Sequence, residues 1–139
     1  ITKASWSAEH EAAYEDFIRH IGESDCATVH DCITSAAANP RWHATSPPYM
    51  KFYADCADLP YTLRAYFAWK MGLPFGYLSC ESGRGGQAPT CKEEGAGDHL
   101  MSRAEFPERD RTDVRAFLYF ARRKVQNGVH SGASHVHCW

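Results

Sequence analysis

Cys56 is the residue of this 139-residue sequence best placed to do chemistry. It stands immediately before 58–71, DLPYTLRAYFAWKM, whose spacing predicts a helix that is apolar nearly all round and therefore central and buried. The first N–H groups of a helix lack intrahelical partners and, with the helix dipole, favour negative charge. A thiol held there has a lowered pKa and gives the thiolate, which is both nucleophile and metal ligand. A buried helix body would hold the sulfur while its end opens on a cleft, the arrangement a cysteine hydrolase uses. The same residue can instead be bridged to Cys138 or packed in the core. A second cluster lies at His135-Val136-His137-Cys138. Read as a strand, it puts two imidazoles on one face, and imidazole holds and releases protons near neutral pH. His43 and His99 sit in loops that can approach a cleft, although loop histidines are more often solvated.

A metal site is the rival chemistry. His135, His137 and Cys138, completed by Cys56, His99 or Asp98, would make a tetrahedral set. No Cys-x-x-Cys pair or second spaced histidine pair accompanies them, so no metal and no cofactor is expected. The glycines Gly83, Gly85 and Gly86 lack the Gly-Lys-Ser/Thr ending of a phosphate cradle and read as a flexible flap. Arg64, in the apolar helix, reads as solvent-facing, with a pair to Asp58 or to substrate as the functional alternative. Asp55 and Asp58 read as dipole partners of the helix start, or Asp55 as a shaper of the site. The basic run Arg122-Arg123-Lys124 ends a helix, where positive charge is favoured, and needs no ligand.

Positioning these groups falls to few elements. Trp6, Ala13, Tyr14, Phe17, Ile18 and Ile21 recur at helical spacing over 6–21, with Ser5 or Ser7 as N-cap and Gly22 as the stop. Val29, Cys32, Ile33 and Ala36 suggest a short second helix ended by Asn39-Pro40. Pro40, Pro47 and Pro48 exclude regular helix over 39–54, where Trp42, Tyr49, Phe52 and Tyr53 are expected to pack on the core. The central helix starts near Ala57 or Asp58, because Pro60 is tolerated only in a first turn. Its stripe is Leu59, Leu63, Tyr66, Phe67 and Met71, and Gly72 ends it. A strand over Phe75 to Cys80, a loop from Glu81 to about His99, a helix carrying Val114, Phe117, Leu118, Ala121 and Val125, and a strand from Ser134 to Trp139 complete the order. The fold class is α+β in a single domain spanning 1–139.

Composition narrows the setting. Fifteen Lys and Arg against 17 Asp and Glu give a net charge of −2, without the basic face a nucleic-acid binder needs. Charged residues at 23% and hydrophobic residues at 44% argue against wholesale disorder. No apolar run approaches the roughly 18–20 residues of a membrane span. Six cysteines allow fifteen connectivities, among which sequence cannot choose. Two pairs are local: Cys26 and Cys32 flank a short turn, while Cys80 and Cys91 bracket the glycine-rich stretch. Such bridges constrain the unfolded chain and persist in oxidising compartments, so a secreted or periplasmic protein is expected. The opening at Ile1, without Met or a signal-type segment, fits a mature or trimmed product.

Asp55-Cys56-Ala57-Asp58-Leu59, Leu63-Arg64-Ala65-Tyr66-Phe67, Gly72-Leu73-Pro74 and Tyr77-Leu78 together resemble the nucleophile segment of bacterial transglutaminase-like cysteine peptidases. In those proteins a cysteine, an acidic residue two positions on, a buried helix and Gly-Leu/Ile-Pro lead into a strand. More loosely the stretch is similar to the cysteine segment of NlpC/P60 cell-wall peptidases, which share the papain-like core. The likeness covers residues 54–79. It implies a papain-like or transglutaminase-like α+β core with a buried nucleophile-bearing helix and a small antiparallel sheet. Cys56 would then be nucleophile, and His135, in the strand-like Ser134–Trp139 segment, the base, with Asp55, Asp58, His137 and His43 as supporting candidates. The family orients its histidine from a following strand and has further strands; here the chain stops four residues after His135. That fits an incomplete core or the N-terminal part of a larger catalytic domain. The implied activity is cleavage of amide bonds, with peptidoglycan stem peptides as substrate. The alternative is a non-enzymatic, disulfide-stapled binding or structural protein with Cys56 paired to Cys138, in which Trp42, Tyr49, Phe52 and Tyr53 are contact residues.

Overall fold

The computed structural model describes residues 3–42, 52–54, 58–76, 79–81, 85–88 and 90–92. Within them lie three helices, α1 (Ala8–Glu23), α2 (Val29–Thr34) and α3 (Asp58–Met71), and two strands, β1 (Ser79–Glu81) and β2 (Thr90–Lys92). The expected helix over 114–125 and strand over 134–139 fall outside the described residues, as does Tyr49.

α1 and α2 each begin where a side chain satisfies free N–H groups. At α1 the Ser7 hydroxyl accepts from the His10 N–H, and the Ser7 N–H donates to His10 Nδ1 at 3.1 Å. A histidine thus fills the place that Glu or Gln takes in the usual capping box. Gly22 does not stop α1, which runs on to Glu23. The stop is Ser24, whose N–H and hydroxyl both donate to the Ile21 carbonyl. At α2 the Thr28 hydroxyl accepts from the Asp31 N–H and donates to its carboxylate. That helix ends at Thr34, short of the expected Asn39-Pro40. Cys26 and Cys32 are joined by a disulfide with a Cα–Cα separation of 5.1 Å, tying the approach of α2 to its own body.

α3 follows the sequence reading at both ends. It opens at Asp58 with Pro60 in its first turn. It closes at Gly72, whose φ of 68° is left-handed. There the Gly72 N–H donates to Trp69 O and the Leu73 N–H to Ala68 O, the paired bonds of a Schellman cap. Eight of its fourteen residues are buried: Asp58, Thr62, Leu63, Ala65, Tyr66, Phe67, Ala68 and Trp69. Leu59, expected in the core stripe, is 38% exposed, because in the first turn only Asp58 is withdrawn from solvent and Leu59, Pro60 and Tyr61 face outward.

The core forms around the middle of α3. Phe67 lies against Trp6, Tyr14 and Phe17 with ring centroids 5.4–5.7 Å apart. Tyr66 meets Phe17, Phe52 and Trp69 at 5.9–6.1 Å. Trp42 packs on this cluster and Phe52 is buried in it, as expected, but Tyr53 is 59% exposed. Phe52 is thus turned into the core while its neighbour faces solvent. Trp6 Nε1–H donates to Pro74 O at 2.7 Å, and the Lys3 N–H to Gly72 O. These bonds hold the segment before α1 against the exit of α3.

Asn39 is the polar centre of this core. Fully buried, it donates from Nδ2 to Ile33 O and to Tyr66 Oη, and its Oδ1 accepts from the Arg41 N–H. Removing one partner leaves the others unsatisfied in a dry site, so Asn39→Ala is expected to cost about 2–3 kcal/mol in a urea unfolding curve. A loss under ~0.5 kcal/mol would contradict this role.

Lys70 carries a charge into half-buried surroundings, with Nζ 4.5 Å from the Trp69 ring centroid and 5.7 Å from that of Tyr66. Burial outweighs these ring contacts and lowers its pKa from 10.5 to about 8. Between those values the unfolded chain binds more protons than the folded one, so stability rises with pH across that window. Below it the cost of the buried cation is fully present. Lys70→Met is therefore expected to raise Tm most near neutral pH, with the advantage shrinking toward about pH 10. A pH-independent advantage would rule out burial of the charge as its cause.

After α3 the chain departs from the reading made above. Residues 73–76 are irregular rather than strand, and Phe75 is buried as part of the core. Pro74 has no N–H for a ladder, and the carbonyls of Gly72 and Pro74 serve the segment before α1. The strand starts at Ser79 and pairs antiparallel with β2, in register Ser79↔Lys92, Cys80↔Cys91, Glu81↔Thr90. The stretch expected to be a flexible flap thus begins and ends as a hairpin. Gly85 and Gly86, at φ 62° and 81°, supply the positive-φ pair that reverses a chain between twisted strands.

Candidate functional site at the start of α3

Of the candidate site residues, Asp58 and Arg64 lie among those described, both on α3. Asp58, the first helical residue, is 5% exposed, and a carboxylate there lies where the helix dipole favours negative charge. Asp55, Cys56, His43, His99, His135, His137 and Cys138 lie outside the described residues. The structure describes the helix that follows Cys56 in the chain. Cys56 precedes Asp58 by two residues, which covalent geometry limits to about 7 Å of chain.

One turn into α3, Thr62 is buried with its hydroxyl oxygen lacking a hydrogen-bond partner among the described residues. On the outer side of the same turn is a shallow cleft of about 280 Å³ lined by Tyr14, Pro60, Tyr61, Arg64, Phe75 and Gly76. Apart from the Arg64 guanidinium and the two tyrosine hydroxyls, its walls are carbon.

Arg64 is neither solvent-facing nor paired with Asp58. Its side chain is 29% exposed and forms a two-pronged pair with Glu11, Nη1 to Oε2 at 2.7 Å and Nη2 to Oε1 at 2.5 Å. The guanidinium also lies 3.4 Å from the Trp6 ring centroid and 4.5 Å from that of Tyr14. A planar fork suits both a carboxylate and aromatic faces. The Arg64 hydrogen bonds hold the Glu11 carboxyl below its ordinary pKa, and burial raises that of Tyr14. Glu11 and Tyr14 share one face of α1, so the pairing fastens α1 to α3 beside the candidate site. Sequence spacing offered Asp58 because it is near in the chain; Glu11 is 53 residues away and only the packing of α1 reveals it.

A larger hollow of about 540 Å³ lies between the end of α1 and residues 35–38, bordered by His20, Asp25 and Cys26. The thiol there is consumed in the bridge to Cys32. Among the described residues no group of three or more His, Cys, Asp or Glu could hold a metal ion, and no helix is long and apolar enough to cross a membrane. No family model, curated protein or solved structure matches this chain.

Proposed function

We propose that this protein is a secreted or periplasmic thiol hydrolase with a papain-like or transglutaminase-like α+β core. The Cys56 thiolate attacks an amide carbonyl, and His135 first takes the thiol proton and later returns it to the leaving amine. The backbone N–H of Cys56 or Ala57 supplies part of the oxyanion hole. The observation that carries this reading is α3 itself: it opens two residues past Cys56, and the helix behind that opening is anchored in the aromatic core. A helix start whose dipole favours negative charge lowers the pKa of a thiol held there, and a buried helix body fixes its position. The cleft at Pro60 and Tyr61 gives one substrate side chain an apolar bed within a helical turn of that opening. Peptidoglycan stem peptides are the substrate suggested by the likeness to NlpC/P60 peptidases. The Cys26–Cys32 bridge is in keeping with an oxidising compartment.

The same bridge favours the competing reading of a disulfide-stapled binding protein. That reading needs aromatic contact residues, yet Phe52 is buried and Trp42 is packed on the core, which leaves Tyr53 as the exposed one among those described. Alkylating the native protein and mapping the modified residue separates the two. Rapid labelling of Cys56 supports the hydrolase; a Cys56–Cys138 bridge eliminates it.

A further inference from the structure

We infer that Cys80 and Cys91 form a cross-strand disulfide that closes the β1–β2 hairpin, a conclusion independent of the hydrolase reading. The antiparallel register sets Cys80 directly opposite Cys91. Residues so opposed have Cα atoms about 4.5–5.5 Å apart and occupy the same face of the ladder. That separation falls inside the ~4.4–6.8 Å that a disulfide spans. The sequence alone leaves this pairing open. Once Cys26–Cys32 is fixed, the remaining four cysteines can pair in three ways, and the register selects Cys80 with Cys91. Two strands of three residues each make a hairpin too short to persist in water by pairing alone. A covalent closure between the middle residues of both strands supplies what the ladder lacks. The glycine turn at Gly85-Gly86 already brings the strands together and so lowers the entropy to be lost when the bond forms.

Formation requires a disulfide-bearing oxidant, either a thiol–disulfide oxidoreductase or oxidised glutathione. One cysteine thiolate attacks the oxidant's disulfide and releases one of its sulfurs as thiolate. The second cysteine thiolate then attacks the mixed disulfide, forming Cys80–Cys91 and releasing the other sulfur. Two protons and two electrons leave the hairpin, and the oxidant is reduced to its dithiol or to two glutathiones. The assignment has a consequence for the rest of the chain. It leaves Cys56 and Cys138 as the two cysteines of this sequence not assigned to a bridge.

The test is peptide mapping of the full chain, produced in an oxidising compartment, unfolded in the presence of iodoacetamide without reductant and then digested. A linked peptide pair containing Cys80 and Cys91 is expected, neither residue alkylated, and reduction separates the pair with the gain of two hydrogens. Cys80→Ser should convert Cys91, and no other bridged cysteine, into an alkylated residue. Alkylation of both Cys80 and Cys91 in the unreduced wild type overturns the assignment, as does linkage of either to Cys56 or Cys138. The state of Cys56 is read from separate peptides, so failure of the hydrolase reading leaves this result intact.

Discussion

Replacing Cys56 by alanine is expected to abolish amide hydrolysis, with kcat/KM falling at least ~10⁴-fold. In the proposed mechanism the thiolate forms the covalent bond to the acyl group, so its removal takes away the nucleophile. Cys56→Ser should be nearly as inactive, because a hydroxyl is not ionised by a helix N-terminus at neutral pH whereas a thiol is. His135→Ala should lose a comparable factor, and the double variant little more, since nucleophile and base act as a unit. Stability gives a second readout. In the hydrolase the Cys56→Ala protein should melt within a few degrees of wild type. Were Cys56 bridged to Cys138, the same change would open a loop of about 80 residues and cost about 4 kcal/mol. Catalysis lost with stability retained is the outcome expected here; stability lost with no catalysis to lose is the contrary one.

Phe67→Ala should produce the largest loss of stability among the described residues, about 3–5 kcal/mol. Phe67 is fully buried, touches the rings of Trp6, Tyr14 and Phe17, and carries the Arg41 guanidinium 4.9 Å above its face. Truncation removes the contact between α1 and α3 at its centre and leaves a void that side chains fixed on two helices cannot collapse into. A domain of this size is stable by roughly 5–15 kcal/mol, so the variant should be marginal or unfolded at 37 °C. Phe67→Leu, which keeps most of the volume, should cost about 1.5 kcal/mol. Equal and small effects from both substitutions, measured by urea unfolding, would show that the α1–α3 contact is not the centre of the core.

Sequence patterning gave different returns for different elements, for physical reasons. The limits of α3 were legible because Pro60 and Gly72 restrict the backbone locally, whatever surrounds them. The Cys26–Cys32 pair was legible because both residues lie within one turn of chain. The end of α1 was misjudged because glycine permits a helix to stop without requiring it, and Ser24 makes the closing bonds. The hairpin was overlooked because strands of three residues carry almost no periodicity, and the glycines that enable the turn also read as a flap. Arg64 read as solvent-facing, with Asp58 as the alternative partner, because its pair with Glu11 lies 53 residues away and only the docking of α1 supplies it. At the candidate site, the helix start at Asp58 was legible in the sequence, while Cys56 lies outside the described residues. The proposed partnership of Cys56 with His135 would need contacts across some 80 residues of chain, which no local pattern encodes.

The central claim is that the start of α3 ionises the Cys56 thiol, and its most direct measurement is the pH dependence of the alkylation rate at Cys56 in the native protein. The rate should follow the thiolate fraction and rise through a midpoint clearly below the ~8.5 of an ordinary cysteine. It should revert toward that value when the protein is unfolded in denaturant. A native midpoint at or above ~8.5, or no reaction at Cys56 before reduction, would contradict the account.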